Sequence, residues 1–260
     1  MKKSSKFKLF LAAAALIGTA ANAQLIDEKD VSITLDLQPV LQLDMTTPDQ
    51  IEFVFDEINK YQAGITQYAA TILKVSSTVS WDLYAVGRSQ GNTATGFWDQ
   101  QVDYGSGNPN AVSNLPLSLL ELRQSRPNPS AVGLTTLDYS ANFANPNAGV
   151  FAGTNNIYVN PAGDATPPST TERYIAGHKG ASNNNDFMPG GTYLNQTGHK
   201  SDYYYTIDYR ILPGLPAIFP MAHNGTDRQD LVTVNTNTAS SYAAPGVYTM
   251  YVQYILLEDQ

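Results

Sequence analysis

The segment APGVYTMYVQYILLEDQ, residues 244–260, decides how the rest of the chain is interpreted. From Val247 to Leu257 it contains almost nothing that would interrupt a β-strand. Because successive side chains of a strand point to opposite faces, the segment divides into two sets. The set predicted to face a core is uniformly apolar or aromatic: Tyr248, Met250, Val252, Tyr254 and Leu256. The other face is of mixed polarity and carries Ile255 and Leu257 near its end.

This last strand has two possible roles: it closes the molecule's own sandwich, or it pairs with another molecule. The segment SSTVSWDLYAV, residues 76–86, carries a similar pattern. In both segments an aromatic residue precedes a Leu by two positions, as in Trp81 and Leu83, so both side chains share one face. The match favours self-closure. Ile255 and Leu257 then become candidate contacts for a partner.

The rest of the chain also predicts β-structure. Tyr and Phe are abundant, at 16 and 9 residues, and only 15% of the residues are charged. Apolar and polar residues alternate with period two, which is typical of antiparallel strands with one wetter face. The predicted strands cover residues 31–37, 51–56, 68–76, 79–86 and 202–211, and residues 56–64 predict one helical turn or a loop that ends at Gly64.

The middle of the chain, residues 88–200, is rich in Gly, Asn, Pro, Ser and Thr, which favour turns and loops. Aromatic residues recur throughout it, which argues against a disordered linker. We expect long decorated loops with short strands at residues 115–124, 156–159 and 172–177. The predicted fold is therefore all-β, an antiparallel Ig-like β-sandwich whose core comes mainly from the patterned segments on either side.

The first 23 residues predict a secretory signal peptide. Four lysines precede an apolar, Ala-rich stretch, and Ala21 and Ala23 place small residues where a signal peptidase cleaves, before Gln24. The apolar stretch is well short of the ~20 residues that span a bilayer. Residues 24–260 are predicted to form a single domain. The chain contains no Cys, so the domain folds without disulfides.

The charge balance restricts the partners of the secreted chain. Removal of residues 1–23 takes away four of the 15 basic residues and none of the 23 acidic ones, which leaves a formal charge of −12. Such a surface repels nucleic acids and anionic membranes. The predicted location is extracellular, at the cell surface or in the periplasm.

Motifs for metal binding and catalysis are weak or missing. The three histidines, His178, His199 and His223, lack the close spacing of a metal site, so no metal is predicted there. Asn and Asp at residues 160–166 and 183–186 make Ca²⁺ a weak alternative, and the same residues are favoured in turns. No other cofactor is expected. Without Cys or a G-x-S-x-G motif, no catalytic residue is assigned and the chain is predicted to be non-catalytic.

Aromatic residues on the loops offer an alternative function. Flat rings stack on sugar faces, and Trp98, Tyr104 and Tyr174 are the candidates for such contacts. Most aromatic residues in a β-rich protein lie in the core, so the carbohydrate-binding module is the second hypothesis.

The two aromatic-x-Leu motifs, Trp81-Asp82-Leu83 and Tyr254-Ile255-Leu256, together with Gly246-Val247-Tyr248 at the start of the last strand, resemble the WxL domain of bacterial cell-surface proteins. The chain departs from that family in having Tyr in place of the second Trp, and its middle is long. Similar Gly-x-Tyr endings occur in fimbrial-type β-sandwich subunits. The resemblance implies a surface protein held non-covalently by cell-wall polymer or surface partners. We therefore predict a secreted structural or adhesive protein whose partners are surface polymer, other surface proteins or copies of itself.

Overall fold

The computed structural model describes residues 27–89, 96–105, 111–125, 139–143, 155–160, 166–168, 173–176, 191–192, 203–211, 222–223, 228–229 and 242–258. Regular structure within these residues is almost entirely β, with one short α-helix and one 3-10 turn. The predicted all-β class is therefore confirmed. The chain divides into two units, of which one ends at Gln38 and the other begins at Pro39.

The second unit contains all the described helices and strands. Helix α1 spans Ile58–Ala63 and the 3-10 turn spans Leu117–Leu119. The strands are β1 (Leu41–Met45), β2 (Ile65–Ser77), β3 (Trp81–Arg88), β4 (Asp99–Asp103), β5 (Ala111–Val112), β6 (Leu120–Gln124), β7 (Tyr174–Ala176), β8 (Gly191–Thr192), β9 (Tyr204–Ile211), β10 (Ala222–His223), β11 (Arg228–Gln229), β12 (Tyr242–Ala243), β13 (Gly246–Thr249) and β14 (Tyr251–Glu258).

Two antiparallel sheets contain most of the strands. The larger sheet has the order β1-β2-β9-β6, and β8 pairs with the end of β2. The second has the order β14-β3-β7. Two-strand pairs join β13 to β4, β12 to β5 and β10 to β11, and among these the β12–β5 pair is parallel. The Ig-like sandwich arrangement of these sheets stays a prediction.

Side chains of both large sheets pack into one core. Trp81 on β3 is fully buried, and its ring centroid lies 6.2 Å from that of Tyr205 on β9, at an interplanar angle of 82°. This edge-to-face geometry is favourable for aromatic rings. Tyr203, which precedes β9, lies at the same centroid distance from Trp81. The aromatic residue of the first motif thus lies where β3 meets the other sheet.

The wetter face predicted for the Trp81 segment is wrong. Every residue from Trp81 to Gly87 is buried, including Asp82, and Tyr84 stacks edge-on against Tyr174 of β7 at 5.8 Å. β3 is a central strand between β14 and β7, and side chains such as the Tyr174 ring also cover its predicted polar face. Alternation predicts which residues share a face, but it does not predict whether a second layer covers the polar face.

The predicted strands at 68–76 and 202–211 are confirmed as parts of β2 and β9. Their antiparallel register shifts between Gln67 and Thr71, where Ala69 has a φ of 51°. Such a backbone angle is typical of a β-bulge. The bulge is held by a buried carboxylate, because Asp208 Oδ1 accepts bonds from the Ala69 N–H at 2.8 Å and from Ser125 Oγ at 2.5 Å.

Residues 51–56 do not form the predicted strand. The predicted facing is correct for Phe53 and Phe55, which pack against the core while Val54 between them is exposed, and wrong for Ile51, which is exposed. Side-chain contacts hold this segment in place of strand pairing. The ring centroids of Phe55 and Tyr61 lie 5.1 Å apart, and Tyr61 OH donates to the Phe55 carbonyl. The predicted helical turn is confirmed as α1, which Gly64 ends with a φ of 74°.

The predicted strand at residues 31–37 is also wrong. These residues belong to the first unit and lie outside any strand. Their four apolar side chains are 78–88% exposed: Val31, Ile33, Leu35 and Leu37. A period-two pattern forms a stable strand only when a neighbouring strand satisfies its backbone groups.

Predictions in the middle of the chain are partly correct. Residues 115–124 contain the 3-10 turn and β6, and residues 172–177 contain β7. Residues 156–159 form only a single bridge, between Asn156 and Glu121. The predicted loops of this region lie largely outside the described residues.

The last strand pairs within its own chain, as the sequence favoured. β14 pairs antiparallel with β3 along its whole length, with Tyr254 opposite Ala85. β13 pairs antiparallel with β4, which follows β3 along the chain. The interruption at Met250 therefore lies opposite the connection between β3 and β4. The sequence predicts one continuous strand. The residues that connect β3 to β4 interrupt its pairing and divide it into β13 and β14.

The predicted faces of the last strand are confirmed. The main core receives the predicted inner side chains of Met250, Val252, Tyr254 and Leu256. Tyr248 packs against a second, smaller cluster around Leu115 and Leu119. On the outer face, Val247 and Tyr251 are 39% and 48% exposed.

Replacing Tyr254 with Ala should lower the free energy of unfolding by about 3 kcal/mol, because it removes a ring that packs against the core. Tyr251→Ala is the matched control on the outer face of the same strand, with an expected loss below about 1 kcal/mol. Urea unfolding followed by Trp fluorescence measures both values. Equal small losses in the two variants would contradict the assignment of Tyr254 to the core.

Candidate functional site

The start of the last strand explains the Gly-x-Tyr motif physically. A Cβ atom on Gly246 would lie 2.4 Å from the Val102 carbonyl oxygen on the paired strand β4. Real Cβ atoms essentially never come so close to a backbone oxygen. Glycine at this position therefore permits β13 to approach β4, and the motif has a structural reason within the chain.

Tyr248 fixes the backbone that leads into β13. Its hydroxyl donates to the Ala244 carbonyl at 2.7 Å and accepts a bond from Gln100 Nε2 at 3.3 Å. Partial burial, with a smaller contribution from the Asp103 carboxylate, raises the pKa of Tyr248 to about 12. The hydroxyl thus stays protonated and keeps its donor role at any physiological pH.

Tyr254 joins the last strand to the other large sheet through hydroxyl groups. Its OH is hydrogen-bonded to the OH of Tyr209 on β9, which is bonded in turn to Thr71 Oγ1 on β2 at 2.7 Å. Burial raises the pKa of both tyrosines, that of Tyr254 well above its ordinary value. Sequence reasoning identified Tyr254 and missed its two partners. A signal for Tyr209 was its place on the apolar face of a predicted strand.

The outer edge of the last strand is the main candidate for an interaction. β13 and β14 pair on one side, with β4 and β3, and no strand among the described residues pairs with their other side. An open edge presents backbone N–H and C=O groups to another chain. The predicted contact residues Ile255 and Leu257 lie on β14, on its outer face, and are partly buried. Their role as contacts stays a prediction.

The three candidate sugar-contact rings lie in different environments. Tyr104 is 67% exposed, whereas Trp98 is partly buried and packs against both core clusters. Tyr174 is 3% exposed, and its OH donates to the Pro168 carbonyl at 2.8 Å. The interpretation of Tyr174 as a surface contact is wrong, because this ring is part of the protein interior.

A buried ion pair on the larger sheet escaped sequence reasoning. Glu121 on β6 and Arg210 on β9 are cross-strand neighbours, with Oε2 and Nε 2.5 Å apart and both side chains buried. Burial raises the pKa of Glu121 despite this partner. The Arg210 guanidinium also lies over the Phe143 ring, at 4.7 Å. The available signal was a charged residue between apolar neighbours in each of two predicted strands. The contacts of Glu121 and Arg210 indicate a structural role.

Few of the candidate metal ligands lie among the described residues. Among the described side chains no group of three His, Asp or Glu residues could hold a metal. His178, His199, the His223 side chain and most of the two candidate Ca²⁺ loops lie outside the described residues. A shallow depression of about 420 Å³ beside α1 is lined by Lys60, which is paired with Asp56.

No family profile matches the chain, and no curated protein is significantly similar to it. The resemblance to WxL domains therefore stays a hypothesis. None of the helices in the described part of the chain is long and apolar enough to cross a membrane.

Two tyrosines of the last strand, Tyr248 and Tyr254, and Tyr209 on β9 predict loss of stability in alkali. The unfolded chain releases their protons near pH 10, while the folded chain retains them because Tyr248, Tyr254 and Tyr209 have raised pKa values. Their contribution is complete below about pH 10 and is lost as the pH rises toward the folded values, by about 1.4 kcal/mol per unit for each group.

Urea unfolding at several values between about pH 9 and pH 11 measures this slope. Tyr254→Phe should make the slope shallower by one proton, because it removes the hydroxyl whose pKa burial raises. An identical slope in the wild-type chain and Tyr254→Phe would contradict the buried hydroxyl.

Proposed function

We propose that this chain is a secreted, non-catalytic structural or adhesive protein of the cell surface or extracellular space. It acts by non-covalent association with surface polymer, other surface proteins or copies of itself. The observation that carries this proposal is the exposure of apolar side chains in residues 31–37 and on the last strand. The exposed side chains include Val31, Ile33, Leu35, Leu37, Val247 and Tyr251. Exposed apolar surface of this kind is typical of interaction sites.

The buried polar groups support a structural role rather than a catalytic one. Glu121 is engaged by Arg210, and Asp208 is engaged by the Ala69 N–H and Ser125. Each carboxylate thus holds backbone or a neighbouring strand in place. The predicted signal peptide and the charge of −12 after its removal support a soluble extracellular protein.

Carbohydrate binding has weaker support from the fold. One of its three candidate rings, Tyr174, is interior, and a second, Trp98, packs against the core clusters. Tyr104 remains as an exposed ring, and a single ring provides little stacking area for a glycan chain.

Production of the full chain in a bacterial host tests the secretion part of this proposal. We expect export, with Gln24 as the new N-terminus, and Ala23→Asp should block cleavage because signal peptidase requires a small residue there. N-terminal sequencing of the exported and cytoplasmic fractions measures the outcome. A chain that stays in the cytoplasm with its N-terminal segment intact would contradict export.

The association part is tested by fractionating the exported chain. We expect it to sediment with cell-envelope material or in self-assembled form, and to be released by a chaotropic denaturant without proteolysis. Glycan-array binding by a chain that is otherwise free and monomeric would favour the carbohydrate-binding alternative instead.

A further inference from the structure

The segment 31–37, called the arm below, is an anomaly in a soluble chain. Its apolar residues are more than three-quarters exposed, the highest being Ile33 at 88%. They alternate strictly with Ser32, Thr34 and Asp36. A flexible linker has no physical need for such alternation, because composition alone determines its solubility and reach. The pattern instead suits a strand that has one apolar face and lacks its neighbour.

The last strand presents an edge of matching length. β14 spans Tyr251–Glu258, and the arm is one residue shorter. In an antiparallel pair, the N–H and C=O groups of one residue point toward the partner strand, and those of the next residue point away from it. The outward groups of β14 have no strand partner among the described residues. A second extended segment can therefore continue the sheet β14-β3-β7 at this edge.

Core-facing side chains of this sheet are less buried on β14 than on β3. The apolar face of the sheet is therefore only partly covered at β14. Leu83 and Ala85 on β3 are fully buried, whereas the neighbouring core-facing residues Val252, Tyr254 and Leu256 on β14 are only partly buried. A strand placed beyond β14 with apolar residues at every second position would cover their exposed parts. The arm carries such residues at every second position.

We propose that the arm of one copy adds as an edge strand to β14 of a second copy. Both surfaces belong to the same chain, and within the single chain the arm is exposed and unpaired. A second copy supplies both complementary surfaces in equal number, which no unrelated partner does. Because the arm and the edge are different surfaces, the contact is heterologous and each addition leaves one arm and one edge free. Assembly is therefore head to tail. This inference rests on the proposed structural function and specifies its partner.

Charge makes the assembly dependent on salt. The whole chain carries a net charge of −8, and residues 27–30 before the arm include three acidic residues and one basic one. β14 ends at Glu258. Repulsion between such copies is screened at physiological or higher ionic strength. Assembly should therefore increase with salt as well as with protein concentration.

Sedimentation velocity of the full chain over a range of protein and salt concentrations tests the proposal. The wild-type chain should form a growing series of oligomers. The double variant Ile33→Asp with Leu35→Asp should stay monomeric, and Ser32→Asp with Thr34→Asp, which adds the same charge to the polar face, should still assemble. Thermal unfolding of all three should coincide at dilutions where each is monomeric, because the altered side chains are outside the core.

A mixing experiment separates the arm from the edge. The apolar-face variant lacks a functional arm but keeps its β14 edge, so it should accept an arm and add none. Small amounts should shorten wild-type assemblies several-fold, whereas the polar-face control should not. Growth that is unaffected by the variant, or a closed dimer as the final species, would overturn the proposal.

Cysteine cross-linking identifies the receiving edge, since the native chain contains no Cys. If Ile33 lies beside Tyr254, then Thr34→Cys of one copy should form a disulfide with Gln253→Cys or Ile255→Cys of another, whichever way the arm runs. Tyr68→Cys, at an exposed position of β2 in the other sheet, is the control. Cross-linking to Tyr68→Cys alone would place the arm elsewhere and overturn the proposal.

The outcomes also distinguish this inference from the proposed function. A wild-type chain that is monomeric under all conditions yet sediments with cell envelopes overturns self-assembly and leaves the surface function in place. A chain that assembles through the arm but is never exported supports the inference and contradicts the extracellular role.

Discussion

The pairing of residues 246–258 with β3 and then β4 is the constraint on which the rest of the fold depends. It brings the end of the chain beside Trp81–Arg88, the central strand of its sheet, across a long intervening sequence. Until these last residues are present, one side of β3 lacks its partner strand. Contacts of such large sequence separation are intrinsically slow to form.

Side-chain chemistry adds to this backbone pairing. The absence of a side chain at Gly246 permits close approach to β4, and the Tyr248 hydroxyl holds the preceding carbonyl of Ala244. Tyr254 then connects β14 to β9 and β2 through shared hydroxyl bonds. Gly246, Tyr248 and Tyr254, which carry the resemblance to WxL domains, therefore each have a structural role within this chain. Membership of the WxL family stays a hypothesis.

Period-two alternation predicted side-chain facing better than it predicted strands. Phe53 and Phe55 face the core without strand pairing, and residues 31–37 alternate with no partner strand. The pattern is a local property, whereas a strand needs a neighbour supplied by distant sequence. For the same reason alternation did not show that β3 is buried on both faces. The Glu121–Arg210 pair and the Thr71–Tyr209 bond likewise depend on register between distant strands, which one sequence does not determine.

β14 completes its own core while its outer edge stays open, and residue-resolved amide hydrogen exchange of the dilute monomer tests this arrangement most directly. We expect alternation along Tyr251–Glu258: amides that point toward β3 exchange slowly, and those between them exchange fast. Uniformly slow exchange would show that the edge is covered within the monomer. Uniformly fast exchange would show that the last strand is no part of the core, and either result would contradict the account.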